Sequence, residues 1–345
     1  MIEGRHREWW FAASRGQVGF SRDIRGTGAL GRKATRSDNV GDLNDSRTEG
    51  AVTTTVAQMR RYPVKSMRGE DVDRCELTER GLLGDRGYAL VDAADGRVVS
   101  AKNPRKWPGI LDCHARYVTT PRLGEDLPPV EVTLPDGTLL RSDAPTAAGY
   151  LSRAFGREVV IGRIPPVGKS LEEYWPAVEG LTPIGEPVAN EHGDTITALP
   201  VAMLAPEGTF FDLAAIHLVT TATIDRLRAL YPTGRFDVRR FRPNLLVATE
   251  PTVTGFVEND WIGRTIWIGE QVQLKVIDPC PRCVMTTLPQ GDLEADPGIL
   301  RTIARHNPVT SATLMPGEVL AACVGVYASV LKGGVVRCGD TVRLL

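Results

Sequence analysis

Hydrophobic residues occur in short alternating runs along most of the chain from residue 54 onward. Near the start of this region, Cys75 and Leu77 alternate with Arg74 and Glu76, which is the period-two pattern of a half-buried strand. Similar runs recur up to the C-terminus and are separated by turn residues. Many short strands with few helices predict a mainly β fold with some α, built from β-barrels or barrel-like sheets.

Turn and capping residues divide the first half of this region into elements. Asp-Gly and Pro-Asp-Gly sequences are typical of hairpin turns, and Asp143 is a candidate helix N-cap. The predicted elements are a hairpin over 88–99, a hairpin over 130–141, a helix from Asp143 through Ala154 and a strand at 159–164.

In the second half, an apolar run at 216–219 stops at Thr220 and Thr221, and apolar residues then recur at helical spacing as far as residue 230. Asp296 followed by Pro297 has the pattern of an N-cap and a first-turn proline, which predicts a second helix. Further strands are predicted at 244–248, 262–268, 272–277, 284–288, 319–330 and 335–345.

Composition changes suggest three parts. Residues 1–53 are rich in Arg, Gly, Ser and Asp and lack apolar periodicity, which predicts a disordered tail. Residues 165–193 are dense in Pro, Gly and Glu without a clear period, which is typical of a linker or a surface excursion. We therefore predict two mainly β domains, at 54–185 and 186–345.

The overall composition restricts the functional classes. The 345 residues carry a formal net charge of -1, so the chain has no general basic surface for nucleic acid. Six scattered cysteines are too few for a disulfide framework and indicate a reducing compartment. No apolar stretch approaches the roughly 20 residues that span a bilayer. We therefore expect a cytoplasmic protein without a membrane anchor.

The most informative local motif is Cys280-Pro281-Arg282-Cys283. Such a pair can bind zinc, exchange a disulfide or supply a thiolate to a softer metal. Disulfide exchange has less support because the β-branched run at 284–288 predicts a strand rather than a helix after the pair. Structural zinc has less support because no second close pair of ligands exists. Two buried thiols with no function are the remaining alternative.

Several polar segments could recognise an anion near this pair. Thr220 and Thr221 lie where a strand enters a helix, and free backbone N–H groups there could bind a phosphate; an ordinary N-cap is the alternative. The Arg239-to-Asn244 segment offers guanidinium donors for bidentate recognition, or it is a solvated basic loop. Lys65 with Ser66, and Asp85 with Arg86, lie in two further turn motifs.

Taken in order, these motifs resemble the MOSC proteins, and more closely the molybdenum-dependent amidoxime-reducing component and its bacterial relatives. The similarity extends from about residue 57 to 345. It includes a final pattern with Gly325 and Tyr327. The motifs that carry it are Tyr62-Pro63-Val64-Lys65-Ser66, Gly81-Leu82-Leu83-Gly84-Asp85-Arg86, Phe241-Arg242-Pro243-Asn244, Glu258-Asn259-Asp260-Trp261-Ile262-Gly263 and Cys280-Pro281-Arg282-Cys283 with Thr286-Thr287.

The resemblance implies a MOSC N-terminal β-barrel domain followed by a MOSC domain, with a molybdenum-pterin cofactor (Mo-molybdopterin) between them. Cys283 would be the catalytic cysteine and the protein ligand to molybdenum, which accepts soft thiolate donors. The role of Cys280 is left open, and Asp278, Arg282 and Asp85 are candidate proton donors or structural residues. The implied cofactor-binding residues are Lys65, Ser66, Arg86, Thr220, Thr221, Arg242, Asn244 and Cys283.

The implied activity is the reduction of N-hydroxylated compounds by cleavage of their N–O bond. Because the chain shows neither an N-terminal hydrophobic segment nor a C-terminal ferredoxin-like domain, we expect electrons from a separate flavoprotein, ferredoxin or cytochrome. The alternative function is a molybdenum cofactor or sulfur carrier without turnover. A zinc-binding scaffold is a third hypothesis.

Overall fold

A computed structural model describes residues 54–166, 168, 170–190 and 192–345, and the predicted tail at 1–53 lies outside them. Strands predominate, as the hydrophobic pattern predicts. The helices are α1 (Ala147–Phe155), α2 (Thr221–Leu230) and α3 (Pro297–His306), with short 3-10 segments at Ile110–Asp112, Val238–Arg240, Val257–Trp261 and Val284–Thr287. The strands are β1 (Thr55–Arg61), β2 (Glu70–Asp71), β3 (Arg74–Thr78), β4 (Gly81–Leu82), β5 (Ala89–Asp92), β6 (His114–Tyr117), β7 (Val130–Thr133), β8 (Leu139–Arg141), β9 (Val159–Gly162), β10 (Ser170–Tyr174), β11 (Val188–Ala189), β12 (Thr195–Pro200), β13 (Ile216–Thr220), β14 (Leu245–Ala248), β15 (Thr265–Ile268), β16 (Val272–Pro281), β17 (Val309–Thr310), β18 (Val319–Leu320), β19 (Cys323–Lys332), β20 (Gly334–Arg337) and β21 (Val342–Leu344).

The largest sheet has eight strands in the order β2-β1-β14-β13-β19-β16-β15-β21. It curls until its two sides meet, because Thr55 in β1 forms an antiparallel bridge with Thr341, just before β21. Backbone hydrogen bonds join the same two segments, including Val342 N to Thr54 O at 2.6 Å. This closure pairs edges that would otherwise be exposed. The barrel interior contains Val56, Leu218, Leu245, Leu274 and Val326, all almost fully buried.

A second core lies outside the barrel and is covered by smaller sheets. Strands β6, β7 and β8 form one of them, and β5 pairs with β9. Their buried side chains, among them Tyr88, Trp107 and Leu151, pack together with Cys283 and Met285. The chain that leaves the end of β16 therefore carries Cys283 from the barrel to the border of this second core.

The helix predictions are confirmed with one shifted boundary. α2 and α3 begin where expected: Thr220 accepts from Thr223 N, and Asp296 accepts from Gly298 N. The first helix begins later than predicted, because Thr146 rather than Asp143 occupies its N-cap position. Asp143 instead pairs with Arg141, so its carboxylate is used at the end of the preceding hairpin.

The predicted strand at 284–288 is wrong, because Val284–Thr287 forms a 3-10 helix. Thr286 Oγ1 donates to Cys283 O at 3.1 Å, and Thr287 Oγ1 donates to Val284 O at 2.7 Å. These local side-chain bonds support a turn despite the β-branched sequence. The sequence argument against disulfide exchange relied on a strand after Cys283, and a 3-10 helix is found there instead. Cys280 nevertheless lies within β16, whereas disulfide exchange of the thioredoxin type requires the first cysteine at a helix start.

Residues 165–193, interpreted above as a linker, contain secondary structure. β10 pairs with β12 over five residue pairs, and β11 pairs with the other side of β12. The sequence pattern did not reveal β10, because its partner β12 lies more than twenty residues further along the chain. The domain boundary between 185 and 186 stays a prediction. No helix in the described part of the chain is both long and apolar enough to cross a membrane.

Candidate active site

A cleft brings together six of the residues predicted from the motifs. They come from the turn after β1, the turn before β5, the turn before β14 and the end of β16. Residues outside that prediction, such as Lys102, Asp212 and Arg282, complete the polar part of the wall. Apolar surface is provided by Phe211, Leu213, Phe241 and Met285. The six predicted residues that line the cleft are Lys65, Ser66, Arg86, Arg242, Asn244 and Cys283.

Three of these residues have a backbone that is unusual for a residue with a side chain. The φ angles are 66° for Ser66, 47° for Arg86 and 54° for Arg242. Among the described residues, Ala202 is the only other non-glycine residue with a positive φ. Such conformations persist only when the surrounding structure enforces them, and they concentrate at binding and catalytic sites. The backbone thus independently singles out the cleft.

Asp85 holds the cationic side of the cleft together. One of its carboxylate oxygens accepts from Tyr62 N at 2.7 Å, and the other accepts from Asn244 Nδ2 at 2.8 Å. The same carboxylate forms an ion pair with Arg86. Asn244 Oδ1 in turn accepts from His217 N at 3.1 Å. Asp85 is therefore committed to organising three turns, which explains its place in the motif without a role as proton donor.

The ring of Tyr62 contacts two guanidinium groups. The Cζ atom of Arg86 is 4.5 Å from the ring centroid, and that of Arg242 is 4.2 Å from it. Tyr62 is almost fully buried, so these cation–π contacts are shielded from water. The ring therefore attracts both cations.

Arg242 carries a charge that the protein itself does not neutralise. It is 8% exposed, and its Nη1 donates to Met67 O at 2.8 Å. It forms no ion pair within the described residues, and burial lowers its pKa to about 10. A buried cation without a carboxylate is costly. An anionic ligand in the cleft would remove that cost.

Four side chains of alternating charge are joined by consecutive ion pairs, in the order Lys65, Asp212, Lys102 and Glu173. Lys65 pairs with Asp212, whose other oxygen lies 3.5 Å from Lys102 Nζ, and Lys102 Nζ lies 3.3 Å from Glu173. Burial lowers the pKa of Lys65. For Lys102, burial is outweighed by Asp212 and Glu173, and the pKa is raised. Burial raises the pKa of Glu173.

Cys283 is the soft donor of the cleft. Its side chain is buried, and the residue is the N-cap of the 3-10 helix Val284–Thr287. Burial, with a smaller contribution from Glu173, raises the pKa of the thiol to about 12, while Lys102 and Arg282 act in the opposite direction. The thiol is therefore neutral near pH 7. A metal that binds it must displace the proton.

Cys280 differs from Cys283 because it does not line the cleft and is fully buried. Arg282 Nη1 donates to Cys280 Sγ at 2.7 Å, and Arg282 Nη2 donates to Phe241 O at 2.9 Å. The Nε of Arg282 has no hydrogen-bond partner among the described residues. Arg282 thus lines the cleft and keeps one hydrogen-bond donor without a partner among the described residues. Cys280, outside the cleft wall, accepts one of its hydrogen bonds.

Thr220 and Thr221 do not line the cleft. Thr220 Oγ1 donates to Glu258 Oε2 at 2.6 Å and accepts from Thr223 N, so Thr220 is the N-cap that the sequence offered as an alternative. Thr221 Oγ1 lies 3.2 Å from the hydroxyl of Thr249. Their cofactor-binding role stays a prediction, and the contacts give them structural roles.

Asp278, another candidate proton donor, is occupied by structural contacts. Its carboxylate accepts from Ser311 Oγ at 2.9 Å, Ala312 N at 2.6 Å and Leu314 N at 2.9 Å. This set of donors satisfies a fully buried charge and ties the loop after β17 to β16.

Gly325 has a steric role beside the cleft. A Cβ at this position would lie 2.3 Å from Leu218 O and 2.6 Å from His217 Nε2. Its absence lets β19 approach β13, where His217 Nε2 lies 2.9 Å from Val324 O. Burial, helped by Arg282, lowers the pKa of His217 to about 3, so the imidazole is neutral.

Sequence reasoning missed Lys102, Asp212 and Glu173. A usable signal was present for Asp212, which is a carboxylate between apolar Phe211 and Leu213. Glu173 was missed together with its strand β10. None of the three belongs to a short motif. Ion pairs and strand pairing between segments that are distant in the sequence bring them together, and a short motif does not encode such contacts.

Comparisons with known proteins agree with this geometry. The model of the MOSC N-terminal beta barrel domain matches residues 53–123, and that of the MOSC domain matches residues 206–343. Mitochondrial amidoxime reducing component 2 is 25% identical over 303 residues in Rattus norvegicus and 27% identical over 301 residues in Macaca fascicularis. Mitochondrial amidoxime-reducing component 1 of Mus musculus is 22% identical over 321 residues. In each case the similarity covers 84% of this chain and 82% of the relative.

The two matched regions both contribute to the cleft. Lys65, Ser66 and Arg86 come from the first, whereas Arg242 and Cys283 come from the second. The chain is therefore a MOSC-domain protein with a MOSC N-terminal β-barrel domain, and it is similar to the mitochondrial amidoxime reducing components.

Proposed function

We propose that the protein is a molybdenum-cofactor-dependent oxidoreductase that reduces N-hydroxylated compounds with electrons from a separate protein. The observation that carries the proposal is the composition of the cleft. One buried thiol, Cys283, shares it with the guanidinium groups of Arg242 and Arg282, which form no ion pair within the described residues. The names of the similar proteins support the reaction class.

The residues present fit a molybdenum-pterin cofactor. A phosphorylated, metal-bearing group needs cationic donors for its anionic end and a soft ligand for its metal. Arg86 and Arg242 provide fixed guanidinium donors, and Lys65 and Ser66 add a cation and a hydroxyl. The free Nε of Arg282 is one more buried donor that a ligand could satisfy. Cys283 provides the thiolate once its proton is lost.

When bound, the cofactor would supply an electron pair and a site that activates the N–O oxygen. The chain supplies the surroundings. Lys102 and Arg282 favour the thiolate of Cys283 electrostatically. Asn244 and Asp85 hold the guanidinium side in place, and Phe211, Leu213 and Met285 provide apolar walls that limit water.

The proposal is tested by a single-turnover experiment. Protein made in a host that synthesises the molybdenum cofactor is reduced chemically and mixed with an amidoxime or a hydroxylamine. We expect the reduced protein to reoxidise and to release the amidine or amine. A cofactor carrier would instead transfer its ligand to an acceptor apoenzyme without turnover, and that outcome would replace the reductase assignment.

The two cysteines provide a matched pair of variants for this experiment. Cys283→Ala should abolish turnover because it removes the proposed metal ligand. Cys280→Ala should retain turnover because its thiol contacts Arg282 and does not line the cleft. The opposite ranking would show that Cys280 is the ligand.

The electron donor is proposed to be a separate flavoprotein, ferredoxin or cytochrome. The expected cytoplasmic location also stays a prediction, since the similar proteins named above are mitochondrial by name. The electron donor is tested by identifying which protein fractions of the native cell reduce the purified protein.

A further inference from the structure

Arg240 lies two residues before Arg242, yet its side chain is not part of the cleft wall. It is 1% exposed, and among the fully buried residues that the structure describes it has the largest volume. It forms no ion pair with any residue that the structure describes. Its partners are backbone carbonyls, so its guanidinium serves to join segments of main chain rather than to balance a charge.

Four hydrogen bonds define what it joins. Arg240 Nε donates to Arg235 O at 2.9 Å, and Nη2 donates to Glu294 O at 2.7 Å, just before α3. Nη1 is shared between Thr286 O at 3.2 Å and Leu288 O at 3.3 Å. Thr286 lies in the 3-10 helix that begins after Cys283, and Leu288 is the C-cap residue of that helix.

A second contact joins the same two stretches of chain in the opposite direction. Arg282 Nη2 donates to Phe241 O at 2.9 Å. The side chain of Arg240 therefore donates to carbonyls after Cys283, and the side chain of Arg282 donates to a carbonyl next to Arg240. These two links flank the positions of Arg242 and Cys283, which both line the cleft.

We propose that Arg240 is a positioning residue that fixes the spacing between Arg242 and Cys283. The planar fork of arginine reaches three separate backbone segments at once, and a lysine ammonium cannot reproduce that geometry. The inference rests on the proposed function where it treats Cys283 as the metal ligand. The spacing itself is a property of the chain and can be measured without cofactor.

Arg240→Lys tests the inference, and Arg239→Lys is the matched control. Arg239 is the neighbouring residue of the same type, but it is partly exposed and pairs with Asp237 and Asp292. Amide hydrogen exchange is measured on the cofactor-free proteins. In Arg240→Lys we expect exchange in residues 284–288 to become about ten-fold faster, as the loss of a charge-assisted hydrogen bond implies. The control should leave these residues unchanged.

The same variants are then made with the cofactor present, and molybdenum and pterin are measured per chain. Arg240→Lys should retain less of both than Arg239→Lys. The inference is overturned if exchange at 284–288 is unchanged, or if exchange rises by the same factor in β13 and β16, which would show a general loss of stability.

Arg240→Gln provides a second test if Arg240→Lys does not fold, because it removes the buried charge and keeps a shorter donor. The expected and contradicting exchange patterns are the same. If unmodified protein binds no cofactor, the proposed function fails while the exchange measurement still decides whether Arg240 sets this spacing.

Discussion

The turn that carries Arg242 and the start of α2 at Thr220 both place polar donors in buried surroundings, but they are completed differently. At the start of α2, Glu258 accepts from the hydroxyls of Thr220 and Thr223 at 2.6 Å each. Arg242 has a carbonyl and an aromatic ring as partners, and its charge stays unpaired within the described residues. The comparison teaches that donors already satisfied by the chain stabilise the fold, whereas an unpaired buried cation is available to a ligand.

The strongest test of this comparison is Arg242→Met. We expect bound pterin to fall by about ten-fold or more, because charge-assisted hydrogen bonds to the ligand are lost. The cofactor-free protein should not lose stability, because the substitution also removes the desolvation cost of an unpaired buried charge. Pterin content and denaturant unfolding measure the two effects.

Arg228→Met is the control for that variant because Arg228 is exposed and pairs with Asp225. It should change neither quantity. A large loss of stability in cofactor-free Arg242→Met would instead mean that Arg242 is a structural residue, and the contrast with Thr220 would disappear.

Tyr62 variants test whether the positions of Arg86 and Arg242 depend on the aromatic ring that both contact. Tyr62→Leu should weaken cofactor retention by about ten-fold, since two buried cation–π contacts are lost. Tyr62→Phe should retain the cofactor, because the ring remains and only the 3.3 Å hydrogen bond to Pro243 O is removed. Equal losses in both variants would assign the effect to the hydroxyl instead.

Thr220→Val is expected to have the smallest effect on the cofactor. The change removes the N-cap and one hydrogen bond to Glu258, so the free energy of unfolding should fall by about 1–3 kcal/mol. The amount of molybdenum and pterin per folded chain should stay the same. A selective loss of cofactor, with stability unchanged, would restore Thr220 to the binding site.

The sequence predicted the parts of the site that are encoded in short motifs. Lys65, Arg86, Arg242 and Cys283 were chosen from separate segments, and the structure brings them to one cleft. Their chemical roles are still proposals. Short motifs succeed here because each forms one contiguous turn, although contacts between the turns, such as those of Asp85, hold the positive φ angles at Arg86 and Arg242.

The parts that were missed depend on contacts between distant segments. Glu173 reaches the site through the pairing of β10 with β12, and periodicity alone did not reveal that strand. The segment 284–287 has strand-forming residues, but the hydroxyls of Thr286 and Thr287 bond to nearby carbonyls and favour the 3-10 helix. Thr220 was ambiguous because its partner, Glu258, is 38 residues away.

The central claim is that Cys283 binds the metal of a molybdenum-pterin cofactor in this cleft. Its most direct test is the molybdenum and pterin content of unmodified protein and of Cys283→Ala, both made in a host that synthesises the cofactor. We predict stoichiometric molybdenum and pterin in the unmodified protein and a loss of molybdenum in Cys283→Ala. Folded, unmodified protein that contains neither molybdenum nor pterin would contradict the account.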